Sequence, residues 1–438
     1  MLETVRNAFK IKDIRNRMLF VLLMIVVIRL GCQIPVPGVD REFFANWFAQ
    51  MAGDTFDIFD AFTGGSFINM SIFALNITPY ITSSIIMQLL TIAIPKLEEM
   101  QREGEDGRKK IMAITRYVTI GLSLIESTAM AIGFGNQGLL ENYNALSVIT
   151  VIVSLTAGSA FLMWIGEQIT EYGIGNGISI VLTINIVSRI PADFHSLYTM
   201  FVDGKPLAIG ALAAVIIIAI VLVTTMLVII LNDAERRIPV QYSKKVQGRK
   251  VVGGQTTHIP LKVNTGGVIP IIFASSIMQF PVVIAQLLGK QGGAGIGGQI
   301  LRGLSSSNWC KPSEPIYSIG LLVYIVLCIF FAYFYTSITF NPLEIADNMK
   351  KQGGFIPGIR PGKPTSEYLT KMLNYIIFIG AVGLMIVAVI PIFFNGVFGA
   401  DVSFGGTSLI IIVGVILETL KQVESMMLVR YYKGFLNS

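Results

Sequence analysis

Nine long apolar stretches constrain the fold more than any other feature of this sequence. Each is long enough to cross the roughly 30 Å of hydrocarbon in a lipid bilayer. They lie at 18–36, 72–94, 111–133, 147–166, 208–231, 265–288, 315–339, 372–394 and 405–427, with a weaker tenth candidate at 176–190. Hydrophobic residues make up 53% of the 438 residues and charged residues only 14%, too little polar surface for a soluble globule. The sequence therefore predicts an all-α polytopic membrane protein.

The distribution of basic residues decides whether the tenth stretch crosses the membrane. Lys and Arg collect in cytoplasmic loops. Segment 1–17 carries five of them and loop 232–262 carries seven, whereas 134–146 carries none. Loop 232–262 lies on the same side as the N-terminus only if 176–190 also crosses. The sequence thus predicts ten spans, with the N-terminal segment 1–17 and the C-terminal tail 428–438 both in the cytoplasm.

A short motif occurs twice, at 76–90 and again at 268–280. In each copy a proline (Pro79, Pro270) is followed by a Ser-Ser pair and then by Met-Gln. Ten spans divide into halves of five, 18–190 and 208–427, joined by an external hinge loop at 191–207. Because five is odd, the second half enters the membrane from the opposite side. Inverted repeats place the functional pathway between the halves, so we expect the two motif copies to face one another across a central axis.

The segment 55–70 is apolar but too short to span the membrane. Its apolar side chains and a helix-breaking glycine pair are Phe56, Ile58, Phe59, Phe62, Gly64 and Gly65. One interpretation is an amphipathic helix lying on the membrane surface. The other is a re-entrant segment buried inside the protein, where irregular backbone is tolerated at membrane depth.

The residues that could carry catalysis are sparse. Glu126 is the one carboxylate placed well inside a span; it is either functional or a hydrogen-bonded structural group. His195 and His258 are predicted on opposite sides of the membrane, so neither a His-based metal cluster nor a Ser-His pair can form. The glycine-rich stretches 173–179 and 358–365 lack the spacing of nucleotide-binding loops. We therefore predict a conduit that is not an enzyme, with no catalytic residues, no metal and no cofactor.

Several longer segments carry a family resemblance. SIFALNITPYITSSIIMQLL, EYGIGNGISI, ERRIPVQY, LKVNTGGVIPIIFASSI and FNPLEIADNMKKQGGFIPGIRPGK occur in this order. They resemble the hallmark segments of the SecY family, the channel-forming subunits of the bacterial protein-export translocon, and the resemblance covers essentially the whole chain. It implies a clamshell of ten helices in two inverted halves around a central pore in the bacterial cytoplasmic membrane.

The resemblance also implies how the pore is closed. Segment 55–70 is similar to the plug that blocks the outer funnel, which favours the re-entrant interpretation. The aliphatic constriction ring corresponds to Ile77, Ile81, Ile178, Leu182, Ile272 and Ile411. The spacing of the first four agrees independently, because residues four apart share a helix face. Without the family, each of these residues would be interpreted as ordinary helix packing.

A lateral gate and a docking surface follow from the same resemblance. The gate lies between the helices that carry the two motif copies, and its polar residues are Thr82, Ser84, Gln88, Glu126, Ser275, Ser276 and Gln279. The cytoplasmic loops 232–262 and 340–367 resemble the surface that docks a ribosome or the motor ATPase SecA. Their candidate docking residues are Arg236, Arg237, Lys244, Lys245, Arg249, Lys250 and Arg360, whose charge suits ribosomal RNA phosphate.

The family further implies partners and a substrate. The partners are SecE-type and SecG-type membrane subunits, SecA, the ribosome and the lipid bilayer; the substrates are signal sequences and unfolded polypeptides. Two other classes stay as alternatives. A secondary transporter also uses inverted repeats but needs converging polar groups near the midplane, whereas the central positions here are aliphatic. An intramembrane protease or lipid enzyme needs paired acids or histidines within its helices.

Overall fold

The chain is seen in a computed structural model that describes residues 6, 8–40, 43–44, 63–136, 138, 140, 143–242, 245–247, 250–252, 256–287, 296–305, 308–312, 314–398 and 407–436. The fold is predominantly α-helical and divides into two compact units. The first unit comprises Met1–Tyr198, Val283–Gly298 and Val415–Ser438, and the second Thr199–Val282 and Gln299–Gly414.

Apolar sequence forms long helices along most of the chain, since a helix satisfies every backbone polar group within its own segment. The helices before residue 210 are α1 Lys12–Gly31, α2 Thr78–Ala93, α3 Pro95–Arg102, α4 Glu105–Asn136, α5 Ala145–Tyr172, α6 Gly177–Phe201 and α7 Leu207–Asp233. The later helices are α8 Ile269–Leu287, α9 Ile296–Leu304, α10 Ile319–Thr339, α11 Pro342–Lys351, α12 Lys363–Phe398 and α13 Thr407–Leu436.

The membrane-spanning character of these helices confirms the predicted class. In the described residues, six helices are long and apolar enough to cross a bilayer, and α2 with α3 gives a seventh if counted as one span. The chain bends by 106° between α2 and α3. Two boundaries differ from the prediction: the span predicted from residue 72 becomes helical only at Thr78, and the predicted hinge loop 191–207 is helical as far as Phe201.

The expectation of an all-α protein was wrong in the second unit, where loop 232–262 forms strands. Strands β1 Glu235–Tyr242 and β4 Thr256–Lys262 pair antiparallel, and β5 Gly354–Phe355 adds to β1. Two short strands, β2 Lys245–Gln247 and β3 Lys250–Val252, form a separate pair.

Alternating side chains explain why this charged loop becomes a sheet. Ile238 and Val240 are buried while Arg237, Pro239 and Gln241 are exposed. The buried pair packs with Leu261, Met349 and Leu369 in one hydrophobic cluster. A strand with one buried face needs this period of two, and ERRIPVQY has it.

The core of the first unit lies where the chain leaves α1 and returns toward α2. Phe44, Phe67 and Phe134 are buried together, with ring centroids 5.1–6.3 Å apart. Around them lie Val36, Met70, Leu75, Leu155 and other buried apolar residues. Aromatic groups at such separations stabilise each other beyond their buried area, so the irregular segment before α2 is packed as firmly as the helices.

Glycine brings α5 against that segment. A Cβ on Gly158 would lie 1.9 Å from the backbone oxygen of Ile72, whereas a Cβ on Gly121 of α4 would meet nothing within 4 Å. Only glycine allows a neighbouring backbone to come so close, and small residues are typical of such contacts between membrane helices.

These two glycines form a matched pair of test positions. Gly121→Ala should leave thermal stability in detergent unchanged or slightly raised, because alanine favours a helix by up to about 1 kcal/mol. Gly158→Ala should lower it by several degrees, because the new methyl group forces α5 away from residue 72. Equal melting temperatures for the two variants, followed by fluorescence-detected size exclusion, would show that this contact is not as close as described.

Candidate functional site

The repeated motif has the same local backbone in both copies. The residue three positions before the proline is left-handed in each, with φ 52° at Asn76 and 60° at Gly267. The helix then begins one residue before the proline, at Thr78 and at Ile269. Pro79 and Pro270 are both buried. Sequence similarity therefore corresponds to a repeated structural unit.

Four of the predicted ring residues belong to the first unit. Ile77 is fully buried and lies just before α2, while Ile81, one turn later, is half-buried. Ile178 and Leu182 lie on the first turns of α6. A Cβ on Gly166 of α5 would lie 2.7 Å from Cδ1 of Ile178 and 3.5 Å from Cδ1 of Ile77. Gly166 thus lets residues from two different helices approach the same point.

The other two ring residues belong to the second unit. Ile272 is half-buried in the first turn of α8, two residues after Pro270. Ile411 is 4% exposed near the start of α13. Each of the six predicted positions therefore has an aliphatic side chain that is wholly or partly buried.

The predicted plug segment is described from residue 63 onward; Phe56, Ile58, Phe59 and Phe62 lie outside the described residues. Gly64 and Gly65 have φ of 65° and 84° and form the turn that the sequence predicts. Ser66, Phe67 and Met70 are at most 1% exposed. Thr63, Ser66, Phe67 and Met70 thus point into the protein while Asn69 is exposed, a pattern that favours the re-entrant interpretation for the described end of this segment.

A polar network that the sequence did not reveal surrounds Gly64. Arg29 on α1 donates one hydrogen bond to Oδ1 of Asn185 (3.2 Å) and another to the carbonyl oxygen of Gly64 (3.4 Å). Asn185 in turn donates to Oδ1 of Asn76 at 3.0 Å, and Ser159 donates to the carbonyl of Asn76 at 3.1 Å. Residues of α1, α5 and α6 and of the turn before α2 thus meet beside Gly64, near the end of the predicted plug segment.

The predicted gate residues lie on α2, α4 and α8. Thr82 bonds back to the carbonyl of Thr78 at 3.1 Å, and Ser275 to that of Ile271 at 2.9 Å. Ser84 and Glu126 are half-buried, whereas Gln88 and Ser276 are exposed. The Gln279 side chain lies outside the described part. The hydroxyls of Thr82 and Ser275 are thus hydrogen-bonded within their own helices.

The predicted docking residues lie on the sheet and on a nearby turn. Arg236 and Arg237 are exposed on β1, and Nε of Arg237 lies 2.7 Å from a carboxylate oxygen of Glu235. Lys245 and Lys250 lie on β2 and β3, while Lys244 and Arg249 fall outside the described residues.

Arg360 is held on a turn with a defined shape. Gly358 and Gly362 on either side have φ of 83° and 104°. Oγ1 of Thr365 donates to the Arg360 carbonyl at 2.8 Å. The backbone is thus fixed while the guanidinium stays exposed, which leaves its charge available to a partner.

In the part of the chain that the structure describes, no group of three or more His, Cys, Asp or Glu residues could hold a metal ion. A salt bridge joins α4 to α5: Nε of Arg116 lies 2.7 Å from a carboxylate oxygen of Glu167. The site is therefore built from aliphatic side chains, the turn at Gly64 and Gly65, and a polar network that includes the charged Arg29.

In the described residues, at least six helices are long and apolar enough to cross a bilayer, and aliphatic residues are buried beside a packed irregular segment; these features define an integral membrane protein. "The structure of a protein conducting channel" has this fold, with a TM-score of 0.64 at 18% identity over 94% of this chain and 92% of that one. A SecY protein whose plug domain is described as stabilising the closed state of the translocation channel gives a TM-score of 0.62 at 19% identity, over 94% and 92%. Sec61 in a canine ribosome-channel complex from the endoplasmic reticulum gives 0.59 at 17% identity, again over 94% and 92%.

The chain belongs to the SecY family. The SecY family model matches residues 71–420. Protein translocase subunit SecY of Halalkalibacterium halodurans is 43% identical over 446 residues, and that of Bacillus subtilis 41% over 447, each alignment covering 100% of both chains. The family resemblance carried by the sequence motifs is thereby confirmed.

Two of the predicted ring residues, Ile77 and Ile81, differ in how deeply they are buried, and this difference can be tested. Ile77→Ala should lower the free energy of unfolding by about 2–5 kcal/mol, as expected where a fully buried aliphatic side chain is removed. Ile81→Ala should cost less, because part of that side chain is already exposed. Thermal unfolding of the two variants in the same detergent measures the difference. A larger loss at Ile81 would contradict the packing described for Ile77.

Proposed function

We propose that this chain forms the protein-conducting channel of the bacterial cytoplasmic membrane. It passes unfolded secretory polypeptides across the bilayer and releases hydrophobic segments laterally into the lipid. The observation that carries the proposal is identity above 40% along the full length of proteins named protein translocase subunit SecY. The channel supplies a path, and the driving force comes from a partner or from the membrane potential.

The proposed architecture has ten spans in two inverted halves, 18–190 and 208–427. Six helices and the α2–α3 pair account for seven spans. Helices α1, α8 and α13 have 20, 19 and 30 residues, and about 20 residues of helix cross the hydrocarbon core. The shared backbone of the two motif copies supports the repeat. Both termini lie in the cytoplasm in this arrangement.

Two elements close the resting channel in this proposal. The six aliphatic ring residues form a constriction that excludes water, since apolar constrictions gate ions by dewetting. Segment 55–70 is the plug, and the burial of Thr63, Ser66, Phe67 and Met70 supports a position of its C-terminal end inside the protein. The gate for lateral release lies between α2 and α8, the helices that carry the two motif copies.

Partners dock on the cytoplasmic basic surface in this proposal. The exposed charges of β1 and the Arg360 turn suit a ribosome, whose RNA phosphates attract Arg and Lys; a ribosome-bound relative shares the fold. SecA is the alternative motor on the same surface. SecE-type and SecG-type subunits complete the membrane complex. The secondary-transporter alternative lacks support, because the central positions that it would need to be polar are aliphatic.

The function is tested by reconstitution. The chain, purified with its membrane partners into vesicles and supplied with a motor ATPase, should protect an unfolded signal-bearing polypeptide from external protease. The same vesicles should take up no small solutes. Solute uptake without polypeptide protection would identify a transporter and overturn the proposal.

In this assay Arg360→Glu should abolish export while the protein stays folded and inserted, because the reversed charge repels an anionic docking partner. Lys363→Glu, exposed three residues later, is the matched control and should retain most export. Equal loss in both variants would show that the overall charge of the loop matters and that Arg360 has no special role.

The pore ring is tested by making the constriction polar. Replacing Ile81 and Ile272 together by Asn should raise resting ion conductance, because amide groups stabilise the water that isoleucine repels. The effect should persist in a channel lacking residues 57–67, where the plug no longer contributes. Planar-bilayer recordings measure it. A double variant that conducts no more than its plug-deleted parent would make both residues packing groups and displace the proposed pore.

A further inference from the structure

Arg29 is a charged side chain inside the first predicted span. A charge there is costly and is retained for a reason. Its position in the last turn of α1 suits the negative end of the helix dipole. Both hydrogen-bond acceptors that it contacts, Oδ1 of Asn185 and the Gly64 carbonyl, are neutral. Arg29 is half-buried and spans the gap between α6 and the end of the plug segment.

The geometry at Gly64 shows how close the plug segment lies to α6. A Cβ on Gly64 would sit 2.6 Å from the carbonyl oxygen of Asn185. Gly64 also needs a φ of 65°, which side chains disfavour. The segment therefore presents its bare backbone to α6, and the Gly64 carbonyl accepts hydrogen bonds from Arg29 at 3.4 Å and from Ser188 of α6 at 3.5 Å.

Asn185 holds Arg29 in place and is itself fixed on its other side. It is 1% exposed, and its Nδ2 donates to Oδ1 of Asn76, which is fully buried. Ser188, one turn later, donates to the backbone carbonyl of Asn185 at 2.6 Å, a bond that does not involve the side-chain amide. A buried amide with partners on both ends has one orientation, so its oxygen stays aimed at Arg29.

We propose that Arg29 is a positioning residue that, with Asn185, holds the C-terminal end of the plug segment against α1 and α6 in the resting channel. This inference rests on the proposed function, in which 55–70 is the plug. A guanidinium stays charged and can satisfy two acceptors at once through its planar fork, so one side chain joins the plug backbone to a transmembrane helix. Displacing the plug breaks the bond to Gly64.

The network also reaches the predicted ring. Asn76 is followed directly by Ile77, and Leu182 lies three residues before Asn185 on α6. Asn76 is therefore the covalent neighbour of one ring residue, and Asn185 lies one helical turn from another. Loosening the anchor should affect the plug first and the ring residues Ile77 and Leu182 next.

The test uses the full chain with its membrane partners, in which Cys32, Cys310 and Cys328 are replaced by Ala and Ser66 by Cys. Ser66 is 1% exposed, so a membrane-impermeant maleimide added outside should label it slowly at rest. Arg29→Gln should raise both labelling and resting conductance about tenfold, the factor expected for losing one hydrogen bond to a charged group. Asn185→Leu should give the same increase, and the double variant no more than either alone.

Arg17→Gln is the matched control. Arg17 lies on the same helix and donates to another glycine carbonyl, that of Gly173 at 3.1 Å, but far from the plug in sequence. It should label and conduct like the parent. Arg29→Lys keeps the charge without the fork and should be intermediate; it and Asn185→Leu carry the test if Arg29→Gln does not insert.

Two results would overturn the inference. One is an inserted Arg29→Gln channel with the parent's labelling and conductance. The other is an equal rise in Arg17→Gln, which would reveal general destabilisation of α1. Failure of the proposed function looks different: the parent complex itself would then protect no polypeptide from protease in the same vesicles.

Discussion

The whole structure depends on one constraint, that backbone buried in a bilayer must find its hydrogen bonds inside the protein. Helices meet it automatically, but residues 63–77 do not form one. Their backbone is satisfied by the neighbouring chain: Val36 N–H donates to the Met70 carbonyl, and Ile72 N–H to that of Ile34, both at 3.0 Å. The hydroxyl of Ser159 on α5 donates a hydrogen bond to the Asn76 carbonyl. The irregular segment is thus tied to the chain just after α1 and to α5, and irregular backbone can exist at membrane depth only with such partners.

Two kinds of contact share the work of closing the proposed channel. Aliphatic side chains such as Ile77 and Ile178 pack without directional preference, so they can repack around a chain of any sequence. Hydrogen bonds such as those of Asn185 hold one geometry and are lost when it changes. In the proposed channel, a ring of aliphatic side chains excludes water but can still deform. Hydrogen bonds to the plug segment fix its resting position.

Much of this architecture was accessible from the sequence. The apolar stretches predicted the helices, and the repeated motif predicted a unit whose two copies share backbone down to the left-handed residue at Asn76 and Gly267. The family resemblance was confirmed. Helix starts were predicted less accurately. Residues 72–77 are mostly apolar, but they form turns and Asn76 is left-handed, so α2 begins only at Thr78, and hydropathy cannot detect backbone conformation.

Other features needed three-dimensional contacts. The strand at Glu235–Tyr242 has an alternating pattern, yet its arginines suggested only a basic loop, and its buried face exists because Met349 and Leu369 lie against it. Arg29 was visible as a charge inside an apolar stretch. Its meaning depends on Asn185, 156 residues away along the chain, and no local pattern indicates that pairing.

In the proposed channel, the polar network lies beside residues of the ring, so a single rearrangement of the network could release both the plug and the ring. Asn76 and Asn185 flank ring residues on two different elements, so a shift of either element moves an amide and an isoleucine or leucine together. Because a buried hydrogen-bonded amide has few alternative partners, the network favours two discrete arrangements, bonded or broken, over a gradual slide. An apolar ring alone would widen by degrees. In the proposed channel, a ring joined to the network would open when the anchor does, which would link release of the plug to wetting of the pore without any long path of coupled residues.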